Sequence, residues 1–377
     1  MPEEDLRFDR DKAGVVLSSM KHRIACSALL LSVAVSPLSA EEPLSRIAFG
    51  SCANEHRPQP VWKAINALNP QLFIFMGDNV YADSADPAKI EESYELLGAE
   101  PGFKKLRADT PIVATWDDHD YGRNDVGAEW EGKDASKKAF MEFFDTPAES
   151  PLRKRGGVYD AKIFGPEGKR VQVILLDTRW FRGPLRKLTK EELQEARAKT
   201  KKKVGRYLPD PDSDSTMLGE EQWAWLVEQL KKPAELRLLV SSIQAIPNEH
   251  GWEKWGNLPR ERKKLFDVIR DNATNVVILS GDRHLSEISL LPPETDGGPF
   301  YPVYEVTASG LNQTGLPEEV NRFRVKGTEI YNQPNFGLIE IDWEKEDPSL
   351  KLEIRDVDGK VVTEVETTLN TLKPCQL

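Results

Sequence analysis

The sequence predicts an α/β protein whose strands deliver polar side chains to one end of a largely parallel sheet. Three observations carry that prediction. Short apolar runs such as Leu72 to Met76 recur, with the length and composition of strands covered on both faces. Amphipathic helical stretches separate many of them, as in βαβ units. Five runs also stop at charged or coordinating residues: Cys52, Asp78, Asp117-Asp118-His119, Asp177-Thr178-Arg179 and Asp282-Arg283-His284. Open α/β sheets hold their chemistry beyond the carboxyl ends of the strands.

Length and composition set bounds. A chain of 377 residues, 39% hydrophobic and 30% charged, can bury a large core. Nothing in its middle reads as a linker, so residues 41–377 are expected to form one domain. Lys21 and Arg23, the apolar stretch Ile24 to Val35 and the small residues before Glu41 form the three parts of a secretory signal peptide. Its apolar core is too short to span a bilayer. The expected start is therefore Met20, with residues 1–40 absent from a secreted or periplasmic mature chain. Those residues hold five acids and five bases, so the mature chain keeps the whole net charge of −11. Such a field disfavours nucleic acid and anionic lipid as partners, and no stable membrane insertion is expected. An anionic substrate would need a local positive centre. Cys52 closes an apolar strand whereas Cys375 lies in a polar tail, so a buried or metal-bound thiol at Cys52 is expected rather than a disulfide.

Taken in order, Arg46 to Gly50 is the first strand. Pro60 to Leu68 follows as a helix, with Pro in its first turn and Trp62, Ile65 and Leu68 on one face. With the strand at Leu72 they make a βαβ unit that brings Cys52 and Asp78 side by side. Ala88 to Leu97 reads as a surface helix, and Lys104 to Asp109 leads into a strand ending at Trp116. Lys137 to Phe144 is helical. Val158 to Phe164 and Arg170 to Leu176 form a hairpin around Gly165 to Gly168. Lys187 to Tyr207, with its basic run from Lys199 to Lys203, reads as solvated helix and loop that could meet an acidic polymer. Gly219 to Leu230 and Pro259 to Asp271 are amphipathic helices. Between them lie the strand Leu236 to Ile243 and a loop, Gln244 to Gly256, whose mixed aromatic and polar residues suit a pocket wall. Val276 to Ser280 is the last strong parallel-type strand. Later short strands around Ile288, Val303 to Val306, Phe336 to Ile341, Leu350 to Ile354 and Val361 to Val365 are expected to be antiparallel. The polar loop Thr307 to Gln313 is placed to close over the site.

The polar ends permit specific chemistry. Residues Asp117 to Asp125 hold four carboxylates, an imidazole and a guanidinium. Close carboxylates repel one another unless a cation sits among them, and the spacing of an EF-hand loop is missing. Two ligand sets can be drawn: Cys52, Asp78 and Tyr81, and Asp78, Asp118, Asp282 and His284, with Asp78 shared. Asp282 and His284, two apart, would project to one side of extended chain. Tyr81 is either a phenolate ligand or a half-buried tyrosine with its hydroxyl paired. Thiolate and phenolate suit iron(III), carboxylates calcium. Two such cations activate water for phosphoester hydrolysis. His119, beside a ligand, is placed to protonate the leaving group, with Asp120 or another carboxylate orienting it. Arg179 and Arg182 are candidate phosphate clamps, although an Asp177–Arg179 ion pair would account for the first. The rival classes are a secreted protein using these acids for structural calcium, and a phospholipase D-like phosphodiesterase.

At Gly50-Ser51-Cys52, Gly77 to Tyr81, Trp116 to His119, Asp177 to Arg179 and Gly281 to His284 the chain resembles the alkaline phosphatase D (PhoD-like) family of metallophosphoesterases, from about Ile47 to Asn312. The resemblance implies a two-sheet sandwich flanked by helices, an iron and calcium site, and secreted phosphomonoesterase or phosphodiesterase activity on small or polymeric esters. It implies Cys52, Asp78 and Tyr81 as iron ligands and Asp118, Asp282 and His284 on the calcium side. Gln244 falls where related phosphoesterases place a further histidine ligand. No counterpart of the amino-terminal β domain of longer members is expected, and the carboxyl-terminal segment reads as strands where some members cover the site with a helix.

Overall fold

Among the described residues, 42–200, 204–295, 297–315 and 320–374 of a computed structural model, twelve strands, several of them buried along their whole length, build two sheets. The proposed leader and Cys375 lie outside the described residues. The strands are β1 (Arg46–Gly50), β2 (Leu72–Met76), β3 (Ile112–Thr115), β4 (Asp160–Phe164), β5 (Val171–Leu175), β6 (Leu236–Ser241), β7 (Val276–Ser280), β8 (Ser286–Leu291), β9 (Val303–Ala308), β10 (Asn335–Asp342), β11 (Ser349–Asp356) and β12 (Val361–Thr368). One sheet runs β12-β11-β10-β1-β2-β3 and the other β4-β5-β6-β7-β9-β8.

The continuous apolar runs follow from this arrangement. Along β2, Leu72, Ile74 and Met76 enter the core between the sheets, whereas Phe73 and Phe75 point outward into a second core. There Trp62 meets both rings edge-on, at centroid distances of 5.6 and 6.0 Å. The second core is closed by helices Val61–Ala67, Pro87–Ala99, Pro101–Asp109 and Lys133–Phe143. Ile174, Leu239 and Ile278 face outward from the other sheet, under helices Gly219–Leu230 and Pro259–Asn272. The expected two-sheet sandwich between helical layers is the architecture found.

Two details differ from the sequence reading. Helix Pro101–Asp109, capped by the Glu100 side chain, occupies what reads as a lead-in to β3. β9 pairs antiparallel with β8 but parallel with β7, because the local sequence carries no signal of which neighbour a strand will meet. The carboxyl-terminal strands β10 to β12 are antiparallel, as expected.

Candidate metal centre and active site

The parallel strands of both sheets end at one cleft, and side chains latch the sheets together there. Thr115 Oγ1 donates to Leu176 O at 2.7 Å, and Ser242 Oγ to Asp117 Oδ1 at 2.5 Å. Register between β1 and β2 sets Cys52 beside Asp78, with Sγ 3.4 Å from Oδ2. Cys52 is a free, buried thiol.

Three donor groups share Asp78. The donor atoms of Cys52, Asp78 and His284 lie within 4.8 Å of one another, as do those of Asp78, Asp117, Asp118 and Asp282, and those of Asp78, Asp118 and His119. Tyr81 OH joins the first group, 3.1 Å from Asp78 Oδ2 and 3.2 Å from His284 Nε2. His284 thus groups with Cys52, Asp78 and Tyr81, and it lines the same cavity as Asp118 and Asp282, the residues with which the sequence reading set it. The cause is backbone conformation. Asp282 and His284 have φ of +65° and +52°, so the alternation of extended chain does not apply to them. Cys52 and Asp78 are also left-handed, at +64° and +49°, a conformation costly for residues with a side chain. Gly77, at φ +99°, lets the chain pass close to Asp117, whose Cβ would lie 2.6 Å from an added Cβ.

The donor set fits cations. Burial and neighbouring acids push the carboxyls of Asp78 and Asp282 well above the usual range. Burial and the Asp78 charge do the same to Cys52 and Tyr81. Asp117 Oδ2 and Asp118 Oδ1 are buried without a hydrogen-bond donor. Buried, mutually repelling anions need a positive partner.

His119 differs in kind. Its Nδ1 lies 2.8 Å from Asp83 Oδ1, and its ring stacks on Tyr81 at 4.2 Å. Burial pulls its pKa down, but Asp118, Asp78 and the bond to Asp83 outweigh that and hold it at about 11. Asp83, not Asp120, is the carboxylate on the ring. Asp120 faces away, accepting from Asn79 N, Asn79 Nδ2 and Asp117 N; it shapes the loop.

The arginines are not open clamps. Arg179 is fully buried, its Nε 2.5 Å from Asp117 Oδ1 and its Nη1 2.6 Å from Glu253 Oε2. Asp177 accepts the backbone N–H groups of Arg179 and Trp180 rather than the guanidinium. Arg182 is likewise buried, bonded to Asp125 O and Gly183 O and 3.0 Å from Glu253. Gln244 is occupied by Glu287, Thr307 and His250. The 307–313 loop reaches the site through Ser309, whose Oγ accepts from His284 N and lies 3.2 Å from Cys52 Sγ. Asp83, Asp117, Glu253 and Ser309 are the residues to which sequence reasoning gave no role at the site. Only the pocket-wall character of the Gln244 to Gly256 loop pointed toward Glu253. A cavity of 690 Å³ opens over the site, lined by Asp118, His119, Trp252, Asp282, Arg283 and His284 among others.

Two sheets between helical layers, with a mixed-ligand and an all-carboxylate pocket sharing one aspartate, define the metallophosphoesterase class of protein. The chain belongs to the PhoD-like phosphatase family, whose model matches residues 91–366. That stretch begins after Cys52, Asp78 and Tyr81, whose place in the site therefore rests on the geometry above. Alkaline phosphatase D of Bacillus subtilis (strain 168) is 24% identical over 294 residues, 67% of this chain and 48% of its own. The chain thus spans about half the length of that curated relative. The solved structure of PhoD matches with a TM-score of 0.65 at 18% identity, covering 87% of this chain and 69% of that one. A dimetal phosphatase from Danio rerio matches at 0.50 and 12%, covering 87% and 100%. At these identities the structural likeness is one of fold. No helix among the described residues is long and apolar enough to cross a membrane.

Proposed function

We propose that the chain is an exported, metal-dependent phosphoesterase acting on phosphomonoesters, phosphodiesters or both. The observation that carries this is the sharing of Asp78 by a mixed-donor group and an all-carboxylate group, with His119 within reach of Asp78 and Asp118 and paired through Nδ1 with Asp83. Cys52, Asp78, Tyr81 and His284 would hold one ion, with the soft and phenolic donors of iron(III); Asp78, Asp117, Asp118 and Asp282 would hold the other, with the oxygen donors of calcium. When bound, such ions polarise the phosphoryl oxygens and supply a hydroxide nucleophile at neutral pH.

The chain's own groups do the rest. Asp83 holds Nδ1 of His119, so the proton for the leaving alkoxide comes from Nε2. Tyr81 stacks on the ring and fixes its plane. Arg179 holds Asp117 and Glu253 in position, which makes it a positioning residue. A purely structural calcium protein would have no use for the Asp83–His119 pair, which favours turnover.

The test is hydrolysis of p-nitrophenyl phosphate and bis-p-nitrophenyl phosphate by protein purified without chelator, with elemental analysis and an Asp78→Ala control. Turnover with iron and calcium present, reduced more than about 100-fold in the variant, is expected. Metal without turnover of either ester would sink the proposal. Export is checked by amino-terminal sequencing of the mature protein, which should start near residue 41.

A further inference from the structure

Residues 196–206 carry six Lys or Arg and no acid, in a chain of net charge −11, and the metal chemistry uses none of them. The fold gives both ends of this stretch a definite place. The described residues on either side of 201–203 leave and rejoin the body at one point, where Lys187 and Tyr207 form an antiparallel bridge. Leu188 N donates to Arg206 O at 2.8 Å and Leu208 N to Arg186 O at 3.0 Å. Within the excursion, helix Lys190–Thr200 buries no residue, so core packing does not account for it. The returning limb is pinned to the Trp252 loop. Tyr207 N donates to Gly251 O at 2.7 Å, and a Cβ on Gly205 would overlap the Gly251 backbone.

As a result Arg197 from the helix and Arg206 from the returning limb line the same 690 Å³ cavity as Asp118, Asp282 and His284. Arg197 is exposed; Arg206 is half-exposed and sits 3.0 Å from Asp125. A cavity of this volume takes a whole small ligand rather than a phosphoryl group alone, and guanidinium groups grip oxyanions through paired hydrogen bonds. We propose that Arg197 and Arg206 form a second anion subsite, which selects phosphoesters whose leaving group carries a further oxyanion. This rests on the phosphoesterase reading above.

The experiment compares phenyl phosphate with 4-carboxyphenyl phosphate by kcat/KM, and phenylphosphonate with 4-carboxyphenylphosphonate by calorimetric Kd. Wild type is compared with Arg197→Gln, Arg206→Gln and the double variant, and with the double Arg→Lys variant. The extra carboxylate should raise kcat/KM and tighten phosphonate binding, each by about tenfold in the wild type, the worth of one charge-assisted hydrogen bond. Both preferences should vanish in the double Gln variant and largely survive in the double Lys variant. Equal values within each pair for the wild type, or a preference that outlives the double Gln variant, would overturn the subsite and leave the phosphoesterase reading standing. No turnover of either phosphate or of the p-nitrophenyl esters would overturn both.

Discussion

Replacing Arg179 by Met removes a buried charge while keeping much of the side chain's length. In the native protein that guanidinium is 0% exposed and contacts Asp117 and Glu253 at 2.5 and 2.6 Å. One pair of unit charges about 4 Å apart is worth about 4 kcal/mol at an effective permittivity of about 20. The desolvation of the charges opposes much of that gain. Removing one member of a buried pair nevertheless costs about 3–5 kcal/mol, because the carboxylates left behind are uncompensated. Arg179→Met is therefore expected to lose about 4 kcal/mol, read as a lower urea midpoint at unchanged slope. Molecules that remain folded should lose kcat through displaced Asp117, with little change in KM for p-nitrophenyl phosphate. An unchanged midpoint with KM raised tenfold or more would refute this reasoning and return Arg179 to the role of a direct phosphate clamp.

Three further outcomes are expected. His119→Ala should lower kcat on an alkyl phosphate by about 10²–10⁴-fold and much less on p-nitrophenyl phosphate, whose leaving group needs no proton; equal losses on both esters would argue against proton donation. Gly77→Ala should destabilise the fold by about 1–3 kcal/mol from its φ alone, with more from the clash at Asp117, measured as a lower urea midpoint; a wild-type midpoint would contradict the close approach seen there. Removal of metal by chelator should lower the melting temperature and its return restore it, since an ion at about 100 times its Kd adds about 2.7 kcal/mol; a melting temperature indifferent to chelator would argue against cations among the buried acids.

What the sequence made legible was whatever depends on local pattern. The runs at Leu72, Val173 and Val276 declare themselves because both faces of those strands are covered by apolar neighbours. Cys52 and Asp78 can be paired from sequence because a βαβ unit fixes which strand ends are adjacent. The division of ligands between the two groups was not legible. It turns on the left-handed backbone at Asp282 and His284, residues that do not announce that conformation as glycine would. The partners of His119 and Arg179 were hidden for another reason. Asp83 lies 36 residues from His119 and Glu253 lies 74 from Arg179, separations at which only the folded chain says who meets whom. The second halves of both ion pairs are products of topology.

The threading of the first sheet has a consequence for how the site comes into being. β1, which carries Cys52 at its end, is flanked by β2 from the same end of the chain and by β10 from the other, with Phe49 opposite Gly337. Asp282, His284 and Ser309 also arrive late in the chain. A polypeptide cut short before residue 335 lacks β10 and cannot seat β1 between both neighbours, although it already carries every donor around Asp78. The strand that carries Cys52 is thereby held on one side by a segment almost 300 residues further along the chain, so the mixed-donor end of the site depends for its support on a late pairing.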